Sequence, residues 1–156
     1  MTLPKMPNDA GVAEILSEAS KLKAKKDKVE FLSRYKNRKD LEHIIKGAYH
    51  PAIEWLIPDG PLPENVKFSD VPAPDLADNR LIQAYRQFRY LVKGGIDVKQ
   101  AKREDIYLNI IRSVHKSEAE LLMSVVTKKL PYKGMTRTLM LEIFPEWLPK
   151  EQTIES

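Results

Sequence analysis

Val12, Ile15, Leu16 and Ala19 recur at the i, i+3, i+4, i+7 spacing that puts side chains on one face of a helix. The spacing predicts a first helix from near Asn8 or Asp9, either of which is chemically suited to cap it. That pattern fades in the basic run Lys21 to Lys28. A short second helix turns Val29, Leu32 and Tyr35 inward, and Leu41, Ile44, Ile45 and Ala48 mark a third that must stop before Pro51. Ile53 to Ile57 is apolar but brief, and reads equally as an extended piece or a helical turn. Leu81, Tyr85, Phe88 and Val92 form another stripe, ended by Gly94-Gly95. Asp105 precedes a helix carrying Ile106, Ile110, Ile111 and Val114. Ser117-Glu118-Ala119-Glu120 fits a capping box that opens a helix with Leu121, Leu122, Val125 and Val126. A last apolar period runs through Met135, Leu139, Met140, Ile143 and Phe144; Pro145 ends it, and Trp147 and Leu148 fold back onto the core. The expectation is an all-α domain, an irregular bundle of about seven or eight short helices.

Between these helical halves, residues 58–78 change character. Five of the eleven prolines lie there, and five acids face one lysine. Proline fixes such a stretch as an irregular connection, extended where it occurs. The organisation expected is one domain over 1–156, with N-terminal helices in 8–57, a Pro-rich acidic loop in 58–78, C-terminal helices in 79–149 and a tail in 150–156.

At 156 residues the chain suits one domain with a hydrophobic core. It has no cysteine, so disulfides and thiolate metal sites are excluded. No run of eighteen apolar residues exists to span a membrane, and the first residues lack a signal-peptide core, so a cytoplasmic protein is the default. His43, His50 and His115 are scattered without ligand spacing, which points to no metal. There is no phosphate-binding glycine loop and no nucleophile elbow, so neither a cofactor nor catalysis is expected.

Net charge is only +4, but it is segregated. Residues 21–39 hold nine Lys/Arg against two acids, 86–103 hold six against Asp97, and 128–137 hold four against none. Segregation of this kind suits a polyanion, though long helices also carry solvated lysine faces. In the third stretch Lys128, Lys129, Lys133 and Arg137 flank a turn at Gly134 and a candidate helix cap at Thr136. A helix start beside lysines suits a phosphate oxygen. The same residues also suit a plain connection between two core helices.

The turn Lys129-Leu130-Pro131-Tyr132-Lys133-Gly134, the helix Met135 to Ile143 and the closing Phe144-Pro145-Glu146-Trp147-Leu148-Pro149 follow one another in an order that is specific. Together with the order of the upstream elements, they resemble the N-terminal α-helical DNA-binding domain of ATP-dependent DNA ligases, particularly the phage type. The chain departs from that family at Lys129, where an acid is usual, and at Pro131, which lacks an N–H. It also lacks the K-x-D-G motif whose lysine takes AMP; Pro58-Asp59-Gly60-Pro61 has no lysine. The resemblance therefore implies a free-standing, non-catalytic relative of the DNA-binding domain, gripping duplex DNA through its backbone as a phage replication or repair accessory. It places Lys129, Lys133, Gly134, Thr136 and Arg137 on phosphates beside Lys128, with weaker contacts from Lys46 and Lys21 to Lys28. From a different class, the chain also reads as a protein-interaction adaptor without DNA affinity, with 58–78 as binding loop and Trp55 or Trp147 as anchor.

Overall fold

The computed structural model describes residues 10–57, 66–73 and 76–149. Asn8 and Asp9, most of the prolines of the 58–78 connection and the 150–156 tail lie outside them. Seven α-helices occur among the described residues: α1 (Val12–Lys21), α2 (Lys25–Ser33), α3 (Lys39–Tyr49), α4 (Leu81–Ala84), α5 (Gln100–Ser113), α6 (Lys116–Val125) and α7 (Arg137–Ile143). Among these residues there is no sheet, only a single antiparallel bridge between Trp55 and Val92. The protein is all-α, an irregular bundle.

The apolar stripes fold as their spacing predicts. Val12, Ile15, Leu16 and Ala19 of α1, Leu41, Ile44 and Ile45 of α3, and Leu121, Leu122 and Val125 of α6 are fully excluded from solvent. α6 lies at the centre: α1, α3 and α5 all pack on it, while α2 packs on α1 and α7. After α7, Phe144 and Trp147 stack at 3.9 Å, with Leu148 buried beside them. In α2 the main buried residue is Phe31, next to Leu32; Val29 and Tyr35 are only half-buried against the core.

Three local expectations change, and one left open is decided. The stripe from Leu81 is α-helical for one turn only and tightens into a 3-10 helix over Tyr85–Tyr90. Ile53 to Ile57 is extended: Leu56 N–H donates to Leu91 C=O at 2.8 Å, and Lys93 N–H to Glu54 C=O at 2.9 Å. The turn that follows needs glycine. Gly94 has φ +83°, and a Cβ on Gly95 would lie 2.1 Å from the Arg89 carbonyl oxygen. α5 begins at Gln100 rather than after Asp105. Its first buried side chain is Arg103, whose Nε donates to Tyr90 C=O at 3.0 Å, and a charged residue is invisible to an apolar period.

The last change concerns Ser117 and Glu118. His115 caps α6, its Nδ1 accepting from Ser117 N–H at 3.0 Å, so the Ser117 capping box does not form. Glu118, one position on, turns inward. It is completely buried, and its Oε1 accepts from Leu81 N–H at 3.0 Å, capping the start of α4 from another helix. Its other oxygen lies against α1: a Cβ on Gly11 would come within 2.8 Å of it. Burial raises the Glu118 pKa; the Leu81 N–H and the Arg80 charge oppose that shift, while Asp40 and Glu14 reinforce it. A second buried carboxylate, Asp40, is held by both Nε and Nη2 of Arg38 at 2.8 and 2.7 Å.

Because Glu118 serves as a buried acceptor, Glu118→Gln should keep most of the stability. Glu118→Ala should lose about 1–3 kcal/mol by leaving Leu81 N–H unpaired. Paired urea melts check this, and equal losses would show that the acceptor role is unimportant.

Candidate functional site

The loop from Thr127 to Thr136 is fixed by its own bonds before any ligand is considered. Ser124 C=O receives both the N–H and the hydroxyl of Thr127, at 3.0 and 2.7 Å, and Ser124 Oγ donates to Lys129 C=O at 3.0 Å. Lys128 has φ +69°, a conformation uncommon outside glycine. That turn sends its ammonium back to the end of α3, where Nζ donates to His50 C=O at 2.8 Å and Ile53 C=O at 2.9 Å. Desolvation there lowers the Lys128 pKa. Tyr49 OH, also from α3, donates to Met135 C=O at 2.6 Å, and Met135 is buried. Gly134 then turns with φ +82°, and Thr136 caps α7 through Oγ1, which accepts from Leu139 N–H at 3.2 Å.

This arrangement separates the six sequence candidates. Lys128 is committed to two main-chain carbonyls. Arg137 is likewise committed: Nη2 donates to Pro149 C=O at 2.9 Å, and Nε is buried without a partner. Lys129 and Lys133 are exposed on the loop, and neither forms an ion pair among the described residues. Gly134 and Thr136 line a shallow cleft of about 280 Å³ whose opposite wall is Lys23, Lys25 and Lys28. The Lys28 ammonium stands over Gly134, 3.2 Å from where a Cβ would be. Lys25 pairs with Glu142, the one acid lining this cleft, at 2.7 Å. Lys23 and Lys28 carry no such partner.

Two basic stretches about a hundred positions apart thus meet, because α2 packs on α7. In the sequence, Lys23 and Lys28 belong to the basic run Lys21 to Lys28. Half of that run forms the first turn of α2, and no spacing rule connects it to Gly134. α7 itself is seven residues long and its cap hydroxyl is spent on Leu139, so the lysines rather than the helix end dominate the local charge.

The positive field extends beyond the cleft. His50, at the end of α3, accepts from Ala52 N–H through Nδ1 at 3.0 Å, which favours its neutral form. Its pKa is lowered from 6.5, first by burial and then by the charges of Lys46, Lys128 and Arg137. Cations from α3, the loop and α7 therefore converge on one histidine. No group of metal-ligating side chains occurs among the described residues, and no helix among them is long and apolar enough to cross a membrane.

The unfolded chain binds a proton at His50 more readily than the folded one, so stability should decline as pH falls below about 6.5. A nuclear magnetic resonance titration should place the His50 midpoint below 6.5, and Lys46→Met should raise it. A midpoint at or above 6.5 would contradict the convergence of charge.

No curated protein matches the chain. Residues 15–132, which run from α1 into the basic loop, match a family described as a family of unknown function. With three quarters of its length so covered, the chain belongs to that family, DUF6433.

Proposed function

We propose that this protein is a non-catalytic, sequence-independent binder of duplex DNA that holds backbone phosphates in the cleft between α2 and the loop leading into α7. The observation that carries this reading is the approach of Lys28 to Gly134. An ammonium with no carboxylate partner sits over a stretch of backbone that has no side chain to cover it. A phosphodiester needs such a place, with positive charge on one side and room for close approach on the other. Lys23 stands in the same wall, and Lys129 and Lys133 extend the exposed charge along the loop. Repulsion among these cations is relieved when a polyanion replaces their small counterions, and that release supplies binding free energy independent of base sequence.

The resemblance of the final third to phage-type ligase DNA-binding domains supports the same reading. It suggests an accessory of DNA replication or repair acting inside the cell. In this reading Lys128 and Arg137 have a positioning role. One pins the loop to α3, and the other holds the carbonyl of Pro149 behind α7.

The two roles separate by salt dependence. Lys23→Ala with Lys28→Ala should weaken binding to every duplex sequence alike and flatten the log–log salt slope by about two units, at about 0.9 per phosphate contact. Lys133→Ala should flatten it by about one unit. Arg137→Ala should leave the slope unchanged and lower the melting temperature instead. Mobility shifts on nicked and intact duplexes across a salt series measure all three. Wild-type slopes in the Lys23/Lys28 variant would remove the cleft from the interface. No shift for the native protein even at low salt would leave the adaptor reading in its place.

A further inference from the structure

The second basic stretch of the sequence borders a different and larger cleft, of about 610 Å³, between α3, the extended residues 53–57 and the 3-10 helix. Its floor is aromatic. Trp55 and Phe88 meet edge to face at 5.5 Å, and His43 lies 4.9 Å from Tyr85. The Trp55 indole is seated directly on the α3 backbone, because Gly47 has no Cβ; one there would fall 2.6 Å from Cζ2. Its only polar group is already used, Nε1 donating to Gly47 C=O at 2.9 Å. What half-buried Trp55 offers a ligand is therefore ring surface and no hydrogen bond.

The rim of the cleft is cationic. Lys46, Arg86, Arg89 and Lys93 line it, and no carboxylate does. Lys46 is paired with Glu42 at 2.6 Å, and Lys93 loosely with Glu54 at 4.0 Å. The guanidinium of Arg86 lies 5.8 Å from the Tyr85 ring, and Arg89 Nε donates to Arg86 C=O. Neither arginine has an acidic partner. Flat ring faces, with the Trp55 N–H already spent, next to two guanidinium groups without an acidic partner among the described residues, match a ligand that is planar and unsaturated at one end and anionic at the other. A plain apolar peptide would leave the arginines unused, and an isolated phosphate would leave the rings unused.

We propose that this cleft binds an unpaired nucleotide, the nucleobase against Trp55 and Tyr85 and the phosphate on Arg86 and Arg89. Stacking needs no base identity, since every base has a π face, so the site tolerates any sequence. The nucleotide is either one unit of a single strand or a free mononucleotide, and the chemistry of the cleft is the same for both. The site shares no lining residue with the duplex cleft, so either assignment stands if the other fails.

The test uses the full chain carrying Trp147→Phe, which leaves Trp55 as its one indole, and follows that fluorescence against a hexathymidylate, an abasic strand of equal length, thymidine monophosphate and inorganic phosphate. The hexamer should quench Trp55 and bind at least about fivefold more tightly than the abasic strand, the low end of what one stacked base contributes. Quenching by the mononucleotide as well would name the free nucleotide as a ligand, and quenching by the hexamer alone would name the strand. Tyr85→Leu should erase the preference for the base-bearing strand. Arg86→Gln with Arg89→Gln, both exposed and so safe for folding, should weaken hexamer and mononucleotide alike. Lys23→Ala with Lys28→Ala, which disables the duplex cleft, should leave the base preference intact. Equal affinity for the hexamer and the abasic strand, or no loss in the arginine variant, would overturn the proposal. Quenching by an acidic aromatic peptide with none by any nucleotide would overturn it in favour of a protein partner.

Discussion

The ammonium of Lys128 joins two parts of the chain that the sequence keeps more than seventy residues apart. By donating to the His50 and Ile53 carbonyls it reinforces the turn that Ile53 N–H closes on His50 C=O after α3, at the point from which the chain departs as an extended stretch. The same contact anchors the basic loop, whose far end is held by Tyr49 on Met135. Both clefts depend on it. On one side the anchored loop presents Gly134 to Lys28; on the other, Ile53 leads to Trp55 and the bridge to Val92. The positive φ at Lys128 is the backbone distortion accepted to aim that ammonium.

Lysines of the same local composition therefore do unlike things. Lys128 and Lys129 are neighbours, yet one is a clamp and the other points to solvent. The difference arises from a backbone angle, not from residue type. Arg103 and Arg38 are similar: each is written as a charge in the sequence, and each is spent inside the fold, on Tyr90 C=O and on Asp40. A net count of basic residues overstates what remains for a partner. The charges still available are those with neither a carbonyl nor a carboxylate within reach, such as Lys23, Lys28 and Arg86.

The helices were legible because apolar spacing is a strong local signal, and α1, α3, α6 and α7 carry it cleanly. Thr136 was legible as a cap for the same reason, since capping involves only the next three residues. What escaped was set by distant partners. The start of α5 rests on a buried arginine. The Ser117 box gives way because α6 starts two residues earlier, with His115 as its cap. The pairing of Ile53–Ile57 with Leu91–Lys93 depended on a turn forty residues away. For the site, the loop residues were identified from composition and resemblance, whereas the wall facing them came from α2. Nothing in the spacing of Lys23 and Lys28 announces Gly134.

Glu118 reaches from the centre of the bundle to Leu81 and against Gly11, while α1 and α3 both lie on α6. Helices from before the proline-rich stretch are thus interleaved with helices from after it, and neither group has a core of its own. Side-chain packing on α6, and not the covalent chain alone, ties the two groups of helices together.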